Sequence, residues 1–239
     1  MGSRLRQQRR GKGGPTYEAK HKGLKTAYCD MDEKQAKEKI LGQVIDLVKE
    51  SGRNSILALI AFEDESTNYV VAAEGLAVGQ HVEFGKKASV TIGNVLPLAN
   101  IPEGCPIFNL ELAPGDGGKI VRGTGVYALL VNRDKKKAYV KLPSGKTRGF
   151  KLTSRATIGC SAGGGRKEKP RVKAGTSYHF MAAKSRHYPT LRGIAMNASD
   201  HPFGGAQHHP GKSKSTSRHA PPGRKVGNIA SRRTGRRKK

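Results

Sequence analysis

Apolar and polar residues alternate over short spans through the middle of the chain, and the alternation predicts strands. Ile56, Ala58, Ile60 and Phe62 fall on one face and Leu57, Leu59 and Ala61 on the other, the pattern of a strand buried on both sides. Val44, Ile45, Leu47 and Val48 precede it, and Glu50-Ser51-Gly52-Arg53-Asn54 supplies turn chemistry between the two, so together they predict a hairpin. Further strands are predicted over 69–73, 81–85, 89–92, 106–112, 127–131, 138–142 and 148–152, with Gly, Pro, Asn and Asp in the gaps. Short strands at this spacing predict a mainly β protein built of small barrels rather than βαβ units. One or two helical turns are expected over 32–39. The 143 residues from 23 to 165 accommodate two barrels, over 23–97 and 98–165, and Leu96-Pro97-Leu98-Ala99-Asn100 marks the break, because its proline interrupts the apolar pattern. No internal repeat is visible.

Charge divides the chain differently. The whole carries 45 Lys and Arg against 18 Asp and Glu, a formal net charge of +27. Residues 1–22 hold 7 basic and 1 acidic side chain, residues 23–165 hold 19 and 15, and residues 166–239 hold 19 and 2. A near-neutral domain therefore carries two cationic extensions, and such an excess calls for a polyanionic partner. Val, Ile, Leu and Phe number 39 of the 143 middle residues but 7 of the 74 that follow. So apolar-poor a tail cannot offset roughly 1–2 kcal/mol of backbone entropy per ordered residue. It is expected to be disordered alone, and its ordering energy must come from the surface it binds. The longest apolar run, 56–62, is too short to cross a bilayer, and no apolar stretch follows the basic start of the chain, so neither membrane insertion nor export is expected. Cys29, Cys105 and Cys160 are odd in number and widely spaced, as expected of buried, reduced thiols in the cytoplasm.

Several motifs raise chemistry that their surroundings do not support. Gly123-Thr124-Gly125-Val126-Tyr127-Ala128 fits a loose dinucleotide fingerprint, yet a β-like stretch follows where a helix is required. Gly115-Asp116-Gly117-Gly118-Lys119 resembles a phosphate loop, but Ile120 stands where a Mg²⁺-binding hydroxyl belongs. His201, His208 and His209 beside Asp200 suggest a metal or a general base, in a segment without the core that would hold ligands rigid. Hydrogen bonding to phosphates and stacking on bases needs less. Tyr178-His179-Phe180, His187-Tyr188 and Phe203 interleave rings with Lys173, Lys184, Arg186 and Arg192, while glycines and prolines suit a chain threaded through folded RNA. Two rivals are a free-standing OB-type regulator of single-stranded nucleic acid, which would carry its aromatics on barrel strands, and a metal-dependent hydrolase, which would keep more acids near the histidines.

The tail itself carries a resemblance. Arg192-Gly193-Ile194-Ala195-Met196-Asn197, then Asp200-His201-Pro202-Phe203-Gly204-Gly205, His209-Pro210-Gly211-Lys212 and Ala220-Pro221-Pro222-Gly223-Arg224-Lys225-Val226-Gly227, resemble the signature of the L-two family of large-subunit ribosomal proteins. Gly104-Cys105-Pro106-Ile107, Pro114-Gly115-Asp116-Gly117-Gly118, Arg155-Ala156-Thr157-Ile158-Gly159 and Gly163-Gly164-Gly165-Arg166 match the same family in order. The short N-terminal zone and Ala206-Gln207-His208-His209 are similar to its archaeal and eukaryotic branch.

The resemblance implies an OB-fold barrel followed by an SH3-like barrel, with extended basic segments over 1–22 and 166–239 that penetrate large-subunit rRNA. It implies a non-enzymatic scaffold of the cytoplasmic ribosome, supporting subunit association, tRNA binding and peptide-bond formation. Expected partners are large-subunit rRNA, neighbouring ribosomal proteins and the small subunit. No membrane, homo-oligomer or cofactor of its own is expected, beyond Mg²⁺ held by the rRNA. The RNA contacts expected at the N-terminus are Arg4, Arg6, Arg9, Arg10 and Lys12. Arg155 follows, then Arg166, Lys169, Arg171, Lys173, His179 and Lys184. Within and after the signature come Arg192, Asn197, Asp200, His201, His208, His209, Lys212, Lys214, Arg218, Arg224, Lys225, Arg232 and Arg233. His201 occupies the position that approaches the peptidyl-transferase region in the family, where it is expected to be a structural RNA contact.

Overall fold

The computed structural model describes residues 2–20, 23–29, 38–205, 209 and 213–235. The described residues form two compact units, one of residues 21–170 and one that brings residues 1–20 together with 171–239.

The larger unit is almost entirely β. Ten strands follow in order: β1 (Lys39–Lys49), β2 (Ile56–Phe62), β3 (Thr67–Val71), β4 (His81–Gly85), β5 (Val95–Pro97), β6 (Pro106–Phe108), β7 (Ala128–Arg133), β8 (Lys137–Lys141), β9 (Thr147–Lys151) and β10 (Arg155–Ile158). They hydrogen-bond in the order β3-β2-β1-β4-β5-β10-β6-β7-β8-β9, a single open sheet with no closed barrel among the described residues. Its two ends wrap separate cores, consistent with an OB-fold followed by an SH3-like fold. Val44, Ile60, Phe62, Val82, Phe84 and Val95 fill the first, with Phe84 meeting Phe62 edge-on at 5.0 Å. Leu96, Leu98, Ile107, Leu130, Val140, Phe150 and Ile158 fill the second. The predicted hairpin is present as antiparallel β1 and β2, and β2 and β4 coincide with their predicted spans.

Departures from the predicted strands have local causes. Residues 89–92 form no strand, because the Asn94 side-chain amide donates to the Ser89 carbonyl at 3.0 Å and the Thr91 hydroxyl at 2.7 Å, folding the segment into turns. Strand β6 ends at Phe108 rather than 112, since Asn109 takes a left-handed φ of 48°. Ile45 and Val131 interrupt the pairing registers and stand about half exposed, because a bulge turns the extra residue outward. Leu96 and Pro97, the start of the segment 96–100 expected to mark the break, lie in β5, which pairs with both β4 and β10. The helical turns expected over 32–39 fall mostly outside the described residues, and Lys39 already begins β1.

The smaller unit contains helix α1 (Arg6–Gly11), helix α2 (Ala174–Ala182), a 3-10 turn over Gly193–Ala195 and a two-residue parallel ladder of β11 (Ser215–Thr216) with β12 (Asn228–Ile229). Its core is Leu5, Phe203 and Val226, with Ile194 packed against them. Three buried side chains at about 1.5–3 kcal/mol each contribute far less than the backbone entropy of so long a segment.

Candidate nucleic-acid interface

In the smaller unit the two ends of the chain meet. Leu5 caps α1, its backbone N–H donating to the Gln8 side chain at 2.9 Å, and its side chain enters the core beside Phe203 and Val226. The N-terminal segment is held against residues 191–225 by three bonds: Ser3 N–H to the Ser199 carbonyl at 2.8 Å, Arg6 Nη2 to the Leu191 carbonyl at 3.1 Å and Gln7 Nε2 to the Lys225 carbonyl at 3.2 Å. Arg4, Arg6 and Arg9 are thereby brought against Asn197 and Asp200, around a cleft of about 480 Å³ that Tyr17 and His187 also line. A smaller cleft of about 230 Å³ lies beside it and shares Arg6, Leu191, Met196 and Asp200.

The signature folds into a tight loop. Asp200 and His201 N–H groups both donate to the Asn197 carbonyl, at 3.0 and 3.2 Å, and Gly205 N–H closes the loop on the Met196 carbonyl at 3.1 Å. Two glycines make it possible by close approach: a Cβ on Gly204 would stand 2.2 Å from the Asn197 carbonyl oxygen, and one on Gly193 would stand 2.2 Å from the His201 ring. Gly193→Ala should therefore displace the ring and destabilise this unit by about 1–3 kcal/mol. Hydrogen exchange of residues 193–205 checks it, with unchanged protection counting against the packing.

His201 Nδ1 accepts the Phe203 backbone N–H at 3.1 Å, which requires that nitrogen to be unprotonated. Burial, and secondarily the charge of Arg6, lower its pKa from the ordinary 6.5. Because the unfolded chain then takes up a proton more readily than the folded one, the contribution is intact above about pH 6.5 and is lost as pH falls toward the lowered value. An NMR titration of His201 should give a midpoint below the ordinary 6.5, and a midpoint above 6.5 would contradict the assignment.

Most of the expected contacts are exposed: Arg4, Arg9, Arg10, Lys12, Arg166, Lys169, Arg171, Lys173, His179, Arg192, Asn197, His209, Lys214, Arg218, Lys225, Arg232 and Arg233. Arg6, Lys184, Asp200, His201 and Arg224 are half-buried. His208 and Lys212 lie outside the described residues. Arg155 is a correction. Its side chain is 4 % exposed and holds the fully buried Glu111 at 2.8 Å, so its charge is spent inside the larger unit. Two expected stacking rings are also occupied. Phe203 is buried in the small core, and Phe180 lies under Arg171 at 3.7 Å and Lys184 at 4.5 Å.

The glycine motifs prove structural. Gly117 N–H donates to Glu111 at 3.1 Å, and a Cβ on Gly118 would stand 2.4 Å from the Asn109 side chain, so the loop that resembled a phosphate cradle is packed against its own fold. Strand β7, not a helix, follows the Gly123-Thr124-Gly125 turn. Among the described residues no three His, Cys, Asp or Glu side chains group as a metal site, and no helix is long and apolar enough to cross a membrane.

Sequence reading missed Arg53 and Arg122. Both reach the Thr26 hydroxyl, and Arg53 Nη2 donates to the Leu24 carbonyl at 2.8 Å. Burial, with the neighbouring Arg53 charge second, lowers the Arg122 pKa. Each sits in a glycine-bearing turn, Gly52-Arg53-Asn54 and Arg122-Gly123-Thr124-Gly125, which is the signal that was available.

Two family models cover nearly the whole chain: Ribosomal Proteins L2, RNA binding N-terminal domain, over residues 2–84, and Ribosomal Proteins L2, C-terminal domain, over residues 91–225. Among curated relatives, "Large ribosomal subunit protein uL2" of Methanococcus maripaludis strain C5 is 50% identical over 99% of this chain and 100% of its own length. The protein of the same name from Methanopyrus kandleri is 49% identical, over 99% of this chain and 98% of its own. That of Methanothermobacter thermautotrophicus is 49% identical over the full length of both. These three relatives are archaeal, within the archaeal and eukaryotic branch that the short N-terminal zone and the Ala206-Gln207-His208-His209 segment resemble.

Proposed function

The chain belongs to the L2 family of ribosomal proteins, and from that membership we propose that it is a structural constituent of the large ribosomal subunit in the cytoplasmic ribosome. Its ligand is large-subunit rRNA. The observation that carries the reading is the joining of both cationic chain ends into one small unit with almost no core, its exposed Arg and Lys flanking the signature loop. Such a unit gains its order from phosphates, and RNA shape rather than base contacts supplies most of its selectivity.

In this reading Arg4, Arg9, Arg10, Lys12, Arg171, Lys173, Lys214 and Arg218 neutralise phosphates, and Arg166 and Lys169 do so from the larger unit. Arg122 adds a second cationic point there, its guanidinium bonded to neutral oxygens of Thr26 and Gly118, whereas Arg53 is already paired with the Glu50 carboxylate. His201 is a structural contact near the peptidyl-transferase region, and the reaction there belongs to the RNA. Neighbouring ribosomal proteins, the small subunit and rRNA-bound Mg²⁺ complete the surroundings, and the boundary between the OB-like and SH3-like halves is placed at residues 97 and 98.

The reading is tested by His201→Ala in reconstituted ribosomes. Folding and peptide-bond formation should persist with modest loss, whereas complete loss of peptidyl transfer in otherwise intact ribosomes would overturn the assigned role.

A further inference from the structure

The larger cleft of the small unit contains one group that does not fit a simple phosphate trap. Arg4, Arg6 and Arg9 line it together with Tyr17 and Met196, and so does the half-buried Asp200. Among the described residues the Asp200 carboxylate has no ion pair and no hydrogen bond, although three arginines line the same cavity. Arg6 instead donates to the Leu191 carbonyl. A carboxylate repels phosphate and can only accept hydrogen bonds. Its place in a cationic cleft therefore selects a ligand that is anionic at one end and rich in N–H donors at the other.

An RNA nucleotide turned out of its stack has that polarity, since its phosphate would meet the arginines while its base edge met the acid. Among the four bases only guanine offers two adjacent donors, N1–H and N2–H₂, matched to the two oxygens of one carboxylate. Adenine and cytosine offer a single amino group beside an acceptor nitrogen that the carboxylate would repel, and uracil a single N–H between two carbonyls. A volume of about 480 Å³ lies within the usual range for small-ligand sites, and the Tyr17 ring is at hand as a stacking wall. We propose that this cleft, built jointly by the two chain ends, binds a single unpaired guanine nucleotide of RNA through the Asp200 carboxylate. The proposal rests on the RNA-binding reading and adds base specificity to it.

The test is equilibrium binding of the full-length protein to four single strands, an oligouridylate and its variants carrying one central G, A or C, with large-subunit rRNA as a separate arm. The G-containing strand should bind about tenfold more tightly than the other three, the discrimination expected of a bidentate base contact. Asp200→Asn should erase that preference while leaving rRNA affinity within a few fold. Arg4→Ala with Arg9→Ala should weaken all four oligonucleotides alike and flatten their salt dependence. Equal binding of the four strands, or a guanine preference that survives Asp200→Asn, overturns the proposal while rRNA binding persists. Loss of rRNA binding by the unaltered protein would instead remove the reading on which it rests. Hydrogen exchange of residues 193–205 in the Asp200→Asn protein separates a lost contact from an unfolded loop, and an unfolded loop together with retained guanine preference also counts against it.

Discussion

Arg155→Ala should unfold the larger unit more readily than any other single truncation, costing about 3–5 kcal/mol, the usual penalty for orphaning one member of a buried ion pair. Glu111 is fully buried and accepts four hydrogen bonds: from Arg155 Nη2 at 2.8 Å, Arg155 Nε at 3.1 Å, the Arg155 backbone N–H at 2.9 Å and the Gly117 N–H at 3.1 Å. Removing the guanidinium leaves a carboxylate held by two backbone donors in a site from which water is excluded. The damage spreads, because Arg155 also donates to the Cys29 carbonyl at 2.9 Å and lies over the Tyr28 ring at 5.3 Å. Tyr28 in turn donates to the Asn109 carbonyl at 2.6 Å and meets the Thr157 hydroxyl at the same distance, while burial drives its pKa upward and keeps the phenol protonated. This network ties β10 to residues 27–29 and to the loop after β6. Thermal denaturation should fall on the order of 10 °C for a unit of this size. Arg155→Lys, which keeps the charge but not the fork, should lie between the two. A melting temperature within about 2 °C of the parent protein would show that the pair is not enclosed as described.

The second large effect concerns binding. A fragment of residues 21–170 retains both β cores and should fold, yet it lacks the unit formed by residues 1–20 and 171–239. If about six of the exposed cations of that unit neutralise phosphates, the full chain should lose roughly 10³-fold in affinity between 50 and 200 mM salt. The fragment should bind rRNA far more weakly and with a much flatter dependence, carried by Arg122, Arg166 and Lys169. Circular dichroism confirming the fragment's β content makes its weak binding interpretable. Near-parental affinity in a folded fragment would relocate the interface to the β unit.

What the sequence disclosed depended on how local the determining physics was. Strands β2 and β4 were legible because side-chain alternation reports burial directly, and the excess charge at both chain ends was legible because it needs no geometry. Residues 89–92 misled because a side-chain amide from Asn94 outcompeted the strand pattern, and Ile45 because a bulge breaks the period of two. Arg155 was misread for a deeper reason. An arginine beside a glycine-rich run looks the same whether it faces solvent or Glu111, 44 residues away, and only the tertiary fold distinguishes them. The meeting of Leu5 with Phe203 and Val226 was equally invisible, since three apolar residues spread over more than two hundred positions form no pattern. Without that contact Arg4, Arg6 and Arg9 read as a free basic arm rather than as one wall of a cleft.

Whether the joined chain ends recognise folded rRNA rather than any polyanion is decided by a salt titration. Full-length protein is bound to large-subunit rRNA and to an unrelated RNA of equal length, and log affinity is plotted against log salt. Preference for rRNA should persist across the titration, with both lines falling by roughly 0.7–0.9 per phosphate contact. Coincident lines for the two RNAs would reduce the unit to a non-specific polycation and contradict the account.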